Sequence, residues 1–159
     1  MKTKKIFNVS CNGIQLPFEL YSIDYILDEL DKNKELFGSV KKIENATKAK
    51  IKQFYGERNV TQDEHVRYFA YIKFFNYKGE CYGIVGGKTN YIYPDLNFDM
   101  KKDEKDNRYA RNFLHIKGIN WDETIIIVNH RPSNSEEADK QEALFIECYL
   151  QRLFNLFAS

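Results

Sequence analysis

The stretch "VRYFAYIKFFNYKGECYGIVGGKT", residues 66–89, has the pattern of a β-hairpin. Residues 66–75 are rich in aromatic and β-branched side chains, "NYKG" at 76–79 is typical of a turn, and residues 80–87 form a second strand pattern. The second strand ends in the glycine-lysine sequence Gly86, Gly87, Lys88 and Thr89. A glycine backbone can approach a phosphate closely, so the stretch predicts an antiparallel hairpin with a phosphate-binding end.

A nucleotide P-loop is the first kind of phosphate site to test. It requires Gly-x-x-x-x-Gly-Lys-Ser/Thr between a strand and a helix. Gly87, Lys88 and Thr89 supply the end of this motif, but Tyr82 stands where its first glycine belongs. An irregular sequence containing Pro94 follows, where a P-loop has a helix. The sequence argues against nucleotide hydrolysis, and an ordinary glycine turn at a strand end stays open.

The surrounding sequence predicts an α+β fold, with a small central sheet that contains the hairpin and is flanked by helices. Residues 20–33 have helical apolar periodicity, and 41–56 have a more polar helical pattern that ends at Gly56. After the hairpin we predict, in order, a long polar loop at 90–107, a helix at 108–117, a buried strand at 123–130, and a terminal helix from the capping box of Ser133 and Glu136 to about Phe154. Residues 63–159 then form the main domain, and residues 1–62 form a helical extension packed on it.

Composition limits the classes of function. The chain has 159 residues, with 24 Lys and Arg against 23 Asp and Glu, so bulk charge does not indicate a nucleic-acid partner, although a local basic patch stays open. Its three cysteines are scattered and form no Cys-x-x-Cys pair, which argues against a zinc site or a disulfide framework. No apolar run is long enough for a signal peptide or membrane helix, so we expect a soluble cytoplasmic protein with no membrane partner.

A restriction-type nuclease pattern is also present in outline. Pro94 and Asp95 are followed by Asp99 and Lys101, which resembles PD…(D/E)xK. The acids of that pattern belong on neighbouring strands far apart in sequence, whereas these residues share one polar loop. We interpret this match as coincidental.

The terminal helix contains a carboxylate beside its apolar face. Ala143, Ile146, Leu150, Leu153 and Phe154 recur at helical spacing, and Glu147 lies next to that stripe. A carboxylate in such a place is unfavourable unless it pairs with a basic side chain or binds a cation. Both interpretations are open from the residues alone.

The order of these features resembles the GIY-YIG nuclease family over about residues 66–159. That family has a Tyr-ending triplet on one strand, Tyr-Ile/Val-Gly-Lys on the next, an Arg on a helix, and a Glu on a later helix followed by Asn. Here "FAY" at 69–71 ends in Tyr71, "IVGGKT" at 84–89 contains Gly87 and Lys88, and "ALFIE" ends in Glu147. The arginine falls on Arg111, with Arg108 as the competitor, and Asn155 matches the asparagine that often follows the glutamate.

This sequence departs from the family pattern in three places. The 90–107 loop separates Lys88 from the arginine helix by more than is usual in the family. Val85 stands where the second tyrosine aligns, so Tyr82 can serve only if the strand carries extra residues, such as a bulge. Ser159 stands where the family has a final asparagine.

The resemblance implies a metal-dependent endonuclease acting on DNA. Glu147 would hold one Mg2+ or Mn2+ ion, a phenol of Tyr71 or Tyr82 would help to take a proton from water, and Lys88 or Arg111 would favour the phenolate. His115, one helical turn beyond Arg111, is a second candidate proton carrier. Nucleic-acid contacts would come from Gly86, Gly87, Lys88, Thr89, Arg108 and Asn155. These assignments predict that Tyr71, Lys88, Arg111 and Glu147 converge on one cleft.

Two other functions stay open from the sequence. Val85 and Ser159 are compatible with a catalytically inactive binding or regulatory protein that kept the fold. A nucleic-acid-binding regulator that works through the N-terminal helices is the third interpretation. The sequence leaves the oligomeric state undetermined.

Overall fold

A computed structural model describes residues 3–44, 68–89, 108–130 and 135–158. The chain begins with a β-hairpin formed by strands β1 (Lys4–Cys11) and β2 (Ile14–Tyr21). Asn12 and Gly13 connect these strands with φ angles of 52° and 81°, as a tight hairpin turn requires. The prediction of a helical N-terminal extension is therefore wrong for these residues.

The first helix is confirmed from Ile23, whereas Leu20 and Tyr21 of the predicted 20–33 stretch belong to β2. Helix α1 (Ile23–Lys32) begins after Ser22, whose side chain accepts a hydrogen bond from the Tyr25 amide. A single helical turn, α2 (Lys34–Phe37), follows, and then strand β3 (Ser39–Ile43). The predicted helix at 41–56 is wrong at its start, because β3 pairs with a distant strand there; residues 45–56 lie outside the described residues.

The central hairpin is confirmed. Strands β4 (Phe69–Tyr77) and β5 (Glu80–Thr89) pair antiparallel, and Lys78 and Gly79 form the turn with positive φ angles. The register shifts between Lys73 and Phe74, which marks a bulge. The hairpin therefore contains an extra residue, which was the condition for Tyr82 to take the place of the second family tyrosine.

The helix predicted at 108–117 is confirmed in part and is short. Helix α3 (Arg108–Arg111) continues into a 3-10 turn (Asn112–His115), and Gly118 follows with a φ of +90°. Strand β6 (Ile119–Asn129) begins four residues earlier than predicted.

The terminal helix is also confirmed. Helix α4 (Glu136–Leu153) is capped by Ser135, which accepts a hydrogen bond from the Ala138 amide; Ser133, the predicted cap, lies outside the described residues. A short strand β7 (Phe157–Ala158) ends the structure.

Five strands form one mixed sheet in the order β3-β6-β4-β5-β7. All neighbours are antiparallel except β5 and β7. The sheet therefore joins a segment from the N-terminal part, β3, to the predicted main domain. The α+β class is confirmed.

Each face of this sheet carries its own hydrophobic cluster. The α4 face is covered by α1 and α4, and its cluster includes Ile26, Leu30, Ala70, Ile72, Phe74, Ile126, Val128, Ile146 and Leu150. The hairpin face is covered by β1, β2 and the α3 segment, and its cluster includes Phe7, Val9, Leu20, Phe75, Tyr82, Val85, Ala110 and Phe113. Every side chain on the sheet belongs to one face or the other, because side chains alternate along a strand.

The 90–107 loop, with Asp95, Asp99 and Lys101, lies outside the described residues. Within the ranges that the structure describes, no helix has the length and apolar character needed to cross a membrane.

Candidate functional site

Lys88 and Glu147 meet on the α4 face. Lys88 pairs with Ala70 across the hairpin, and Ala70 belongs to the α4-face cluster, so the lysine side chain points toward α4. Its Nζ atom lies 3.9 Å from Glu147 Oε2, and the two side chains are 27% and 15% exposed. The structure therefore brings together two of the predicted site residues, one from the glycine strand and one from the terminal helix.

The two carboxylate oxygens of Glu147 have different surroundings. Oε1 accepts a hydrogen bond of 3.3 Å from Gln151 Nε2. Oε2 is buried and has no hydrogen-bond partner among the described residues; Lys88 faces it at the outer limit of an ion pair. Burial raises the pKa of Glu147, and the Lys88 charge and the Gln151 hydrogen bond partly offset this rise. Oε2 is thus an available acceptor in a place where an unsatisfied oxygen is unfavourable.

Gly86 is covered by protein. A Cβ atom at this position would lie 3.0 Å from Leu156 Cδ1 and 3.1 Å from Gln151 Cγ. Its carbonyl oxygen accepts a hydrogen bond of 2.8 Å from Gln151 Nε2. The missing side chain at Gly86 therefore lets α4 and the segment after it pack against β5, and the space that the sequence assigned to a phosphate is filled by Gln151 and Leu156.

Tyr71 lies on the other side of the sheet. It pairs with Gly87 and Ile127, one position away from Ala70 and Lys88, and its ring has Lys73 Nζ 5.5 Å from its centre. Lys73 pairs with Val85, a member of the hairpin-face cluster. The prediction that Tyr71 converges with Lys88 and Glu147 on one cleft is therefore wrong, because alternation along β4 directs its side chain to the hairpin face.

Tyr82 also belongs to the hairpin face. It is buried in that cluster, and its hydroxyl donates a 2.7 Å hydrogen bond to Glu80 Oε2. Burial and the neighbouring Glu80 raise the pKa of Tyr82 to about 12. The environment opposes a phenolate at this position, whereas the predicted role in catalysis requires one to be favoured.

The predicted arginine helix packs on the hairpin face as well. Ala110 and Phe113 bury its inner side in that cluster, while Arg111 and His115 are exposed. The helix that carries Arg111 is thus separated from Glu147 by the sheet, which contradicts the expected convergence of these two residues. The side chains of Arg108 and Thr89 lie outside the described residues.

Asn155 has a structural role at the end of α4. Its φ is 54°, and its side-chain amide donates a 2.7 Å hydrogen bond to the Glu19 carbonyl oxygen. Asn155 thereby ties the C-terminal end of α4 to β2. This hydrogen bond gives Asn155 a role in the fold that does not depend on contact with a nucleic acid.

The site offers a divalent cation one carboxylate ligand, which is that of Glu147. The described ranges contain no group of three or more His, Cys, Asp or Glu side chains placed to hold a metal ion. Some hard cations keep several waters and take only one carboxylate plus a phosphate oxygen from their surroundings. Such a cation nevertheless fits this donor set, because Glu147 Oε2 is an unsatisfied oxygen. Glu147 is the residue that would hold such an ion.

No family model, curated protein or solved structure matches the chain. Membership of the GIY-YIG family remains a prediction from the order of the sequence motifs.

Sequence reasoning missed Gln151. Its position is i+4 from Glu147 on the same helix, a spacing at which side chains meet, so the signal was present in "ECYLQ". It also missed the buried contact of His130 Nε2 with Asp139 Oδ1, at 2.7 Å, because these residues come from the end of β6 and the first turn of α4.

Proposed function

We propose that this chain is a metal-dependent nuclease that hydrolyses DNA phosphodiester bonds at the Lys88–Glu147 pair. The observation that carries the proposal is the buried Glu147 Oε2 atom, which has no hydrogen-bond partner among the described residues and lies 3.9 Å from Lys88 Nζ. The motif order that resembles the GIY-YIG family adds to this support.

Charge explains why a cation belongs in the proposal. Lys88 and Glu147 together are neutral, so the pair alone has no net attraction for a phosphodiester. A divalent cation on Glu147 would make the site positive, and Lys88 would then be free to contact a phosphate oxygen. When bound, the cation would polarise the scissile phosphate and stabilise the leaving oxygen. Glu147 would orient the substrate through that ion, and Lys88 would neutralise the phosphate charge.

The tyrosines are not part of this mechanism. Tyr71 and Tyr82 lie on the hairpin face, and the pKa of Tyr82 is raised to about 12. Their placement favours a second candidate function, a catalytically inactive protein that binds DNA at the same pair when Glu147 carries a cation. The two candidates differ in one measurable property, which is bond cleavage.

The test is incubation of purified protein with plasmid and single-stranded DNA, with Mg2+, Mn2+ or EDTA. We expect metal-dependent nicking by the parent and a loss of about 100-fold or more in Glu147→Gln, with DNA binding retained. Glu137→Gln is the matched control, since Glu137 is an exposed glutamate on the same helix. Lys88→Met should weaken binding and lower the salt slope by about one.

Equal nicking by the parent and Glu147→Gln would remove this site from the mechanism. Salt-dependent DNA binding that Lys88→Met weakens, without cleavage under any metal condition, would establish the second candidate instead.

A further inference from the structure

Gln151 forms hydrogen bonds with both parts of the candidate site, which are the glycine-containing strand β5 and the helix α4. Its Nε2 atom donates one hydrogen bond to the Gly86 carbonyl oxygen, at 2.8 Å, and one to Glu147 Oε1, at 3.3 Å. A primary amide has two such donors, so both are used. One side chain therefore links the backbone of the glycine strand to the carboxylate on α4.

The first of these bonds fixes Gln151 to the sheet. Gly86 is paired with Ile72 on one side and Ala158 on the other, so its carbonyl belongs to a strand held on both edges. Gly86 precedes Lys88 by two residues, and the two therefore face the same side. A donor anchored at Gly86 has a set position relative to Lys88.

The second bond gives the two carboxylate oxygens of Glu147 different surroundings. Because Oε1 is engaged by Gln151, the carboxylate presents Oε2 toward Lys88. A glutamate side chain without this bond has several rotamers available and must lose that freedom each time it binds a ligand. Groups that orient a metal-binding carboxylate typically change metal affinity or activity by about 10- to 100-fold when removed.

We propose that Gln151 is the positioning residue of this site, which holds Glu147 with Oε2 directed at Lys88 and couples the terminal helix to the glycine strand. Gly86 supports this placement, because a Cβ atom there would lie 3.1 Å from Gln151 Cγ, closer than an ordinary van der Waals contact. The part of this inference that concerns a bound cation rests on the proposed function; the placement of the carboxylate does not.

The chain supplies a matched control. Gln141 Nε2 donates a 3.0 Å hydrogen bond to Glu137 Oε1, which is the same Glu-to-Gln pair at i,i+4 on the same helix, but on its exposed side. Gln151→Met and Gln141→Met each remove one Glu–Gln hydrogen bond and keep a side chain of similar length, and Gln151→Met also removes the bond to the Gly86 carbonyl oxygen. A general effect of the substitution on helix stability would be seen in both variants.

Crystal structures of the parent and of Gln151→Met give the first readout, which does not depend on any activity. We expect Glu147 to leave its rotamer in the variant, with Oε2 no longer directed at Lys88 Nζ. A Glu147 carboxylate that stays in place without Gln151 would overturn the proposal, whether or not the protein is a nuclease.

Mn2+ affinity, measured by electron paramagnetic resonance of the full chain, and DNA cleavage give the second readout. Gln151→Met should lower Mn2+ affinity or kcat by about 10-fold or more with an unchanged KM for DNA, while Gln141→Met matches the parent. Parental values in Gln151→Met would contradict the proposed role toward the cation. A parent that neither binds Mn2+ nor cleaves DNA would end the proposed function, and the crystallographic comparison would still decide the placement of Glu147.

Discussion

Tyr71 and Glu147 lie on opposite faces of the five-stranded sheet. The neighbour of Tyr71 on β4, Ala70, pairs with Lys88 on the α4 face, while Tyr71 pairs with Gly87 and faces the hairpin side. A shift of one residue along β4 thus places Tyr71 on the face opposite to the one that carries Lys88 and Glu147.

This separation predicts that Tyr71→Phe retains nuclease activity. A general base contributes about 100- to 10,000-fold to a rate, so a catalytic role of the phenol would cause a loss of that size. We expect cleavage by Tyr71→Phe within about 2-fold of the parent, measured beside Glu147→Gln on the same plasmid substrate. A loss of 100-fold with an intact fold would show that the phenol takes part in the reaction.

Glu147→Gln should stabilise the metal-free protein as the pH rises. Because burial raises the pKa of Glu147 in the folded state, the folded protein holds its proton more tightly than the unfolded chain. The contribution of Glu147 to stability is therefore fully present below the ordinary carboxyl pKa of about 4.3 and is lost as the pH rises through the higher folded pKa. Glu147→Gln has no carboxylate at this position, so it does not lose this stability as the pH rises.

Thermal melts in EDTA across this pH range provide the measurement. The two proteins should differ least at low pH, and the variant should melt higher at neutral pH; each ~1 kcal/mol corresponds to about 2–4 °C for a chain of this size. The exposed Glu137→Gln serves as the control. A variant that melts below the parent at neutral pH would mean that the Lys88 attraction exceeds the cost of burial.

Gly86→Ala should destabilise the protein by about 1–3 kcal/mol through overpacking. The added methyl group would meet Leu156 Cδ1 at 3.0 Å and Gln151 Cγ at 3.1 Å. Since Leu156→Val removes the first of these atoms, the cost of Gly86→Ala should be smaller in that background. Chemical denaturation of the four proteins in this cycle measures the coupling, and strictly additive costs would contradict the steric explanation.

Asp139→Ala should lower the free energy of unfolding by about 2–5 kcal/mol. Asp139 is buried in the first turn of α4, where Oδ1 lies 2.7 Å from His130 Nε2 and Oδ2 accepts a hydrogen bond from the Tyr68 amide. It therefore connects α4 to β6 and to the start of β4. Urea denaturation beside Glu136→Ala, an exposed acid in the same turn, should show a cost below about 1 kcal/mol for the control. Equal midpoints for the two variants would refute this role.

Several elements were determined by local sequence alone. The β4–β5 hairpin, α1 and α4 were predicted because aromatic and β-branched strands, a tight turn and helical apolar spacing each occur within a short stretch. The N-terminal hairpin also had a local signal, Asn12-Gly13 between alternating residues, which the sequence interpretation overlooked. The motif order, through the family resemblance, also placed Lys88 and Glu147 in one site.

Tertiary structure decided the rest. Strand β3 exists because its backbone pairs with β6, about 85 residues later in the chain, and no local pattern at 41–43 contains that information. The face on which Tyr71, Tyr82 and Arg111 lie depends on strand register and on which layer each segment covers. Side chains alternate along a strand and a bulge interrupts that alternation, as it does in this hairpin. Motif order along the chain therefore places a residue on a strand but leaves its face to the packing of the whole sheet.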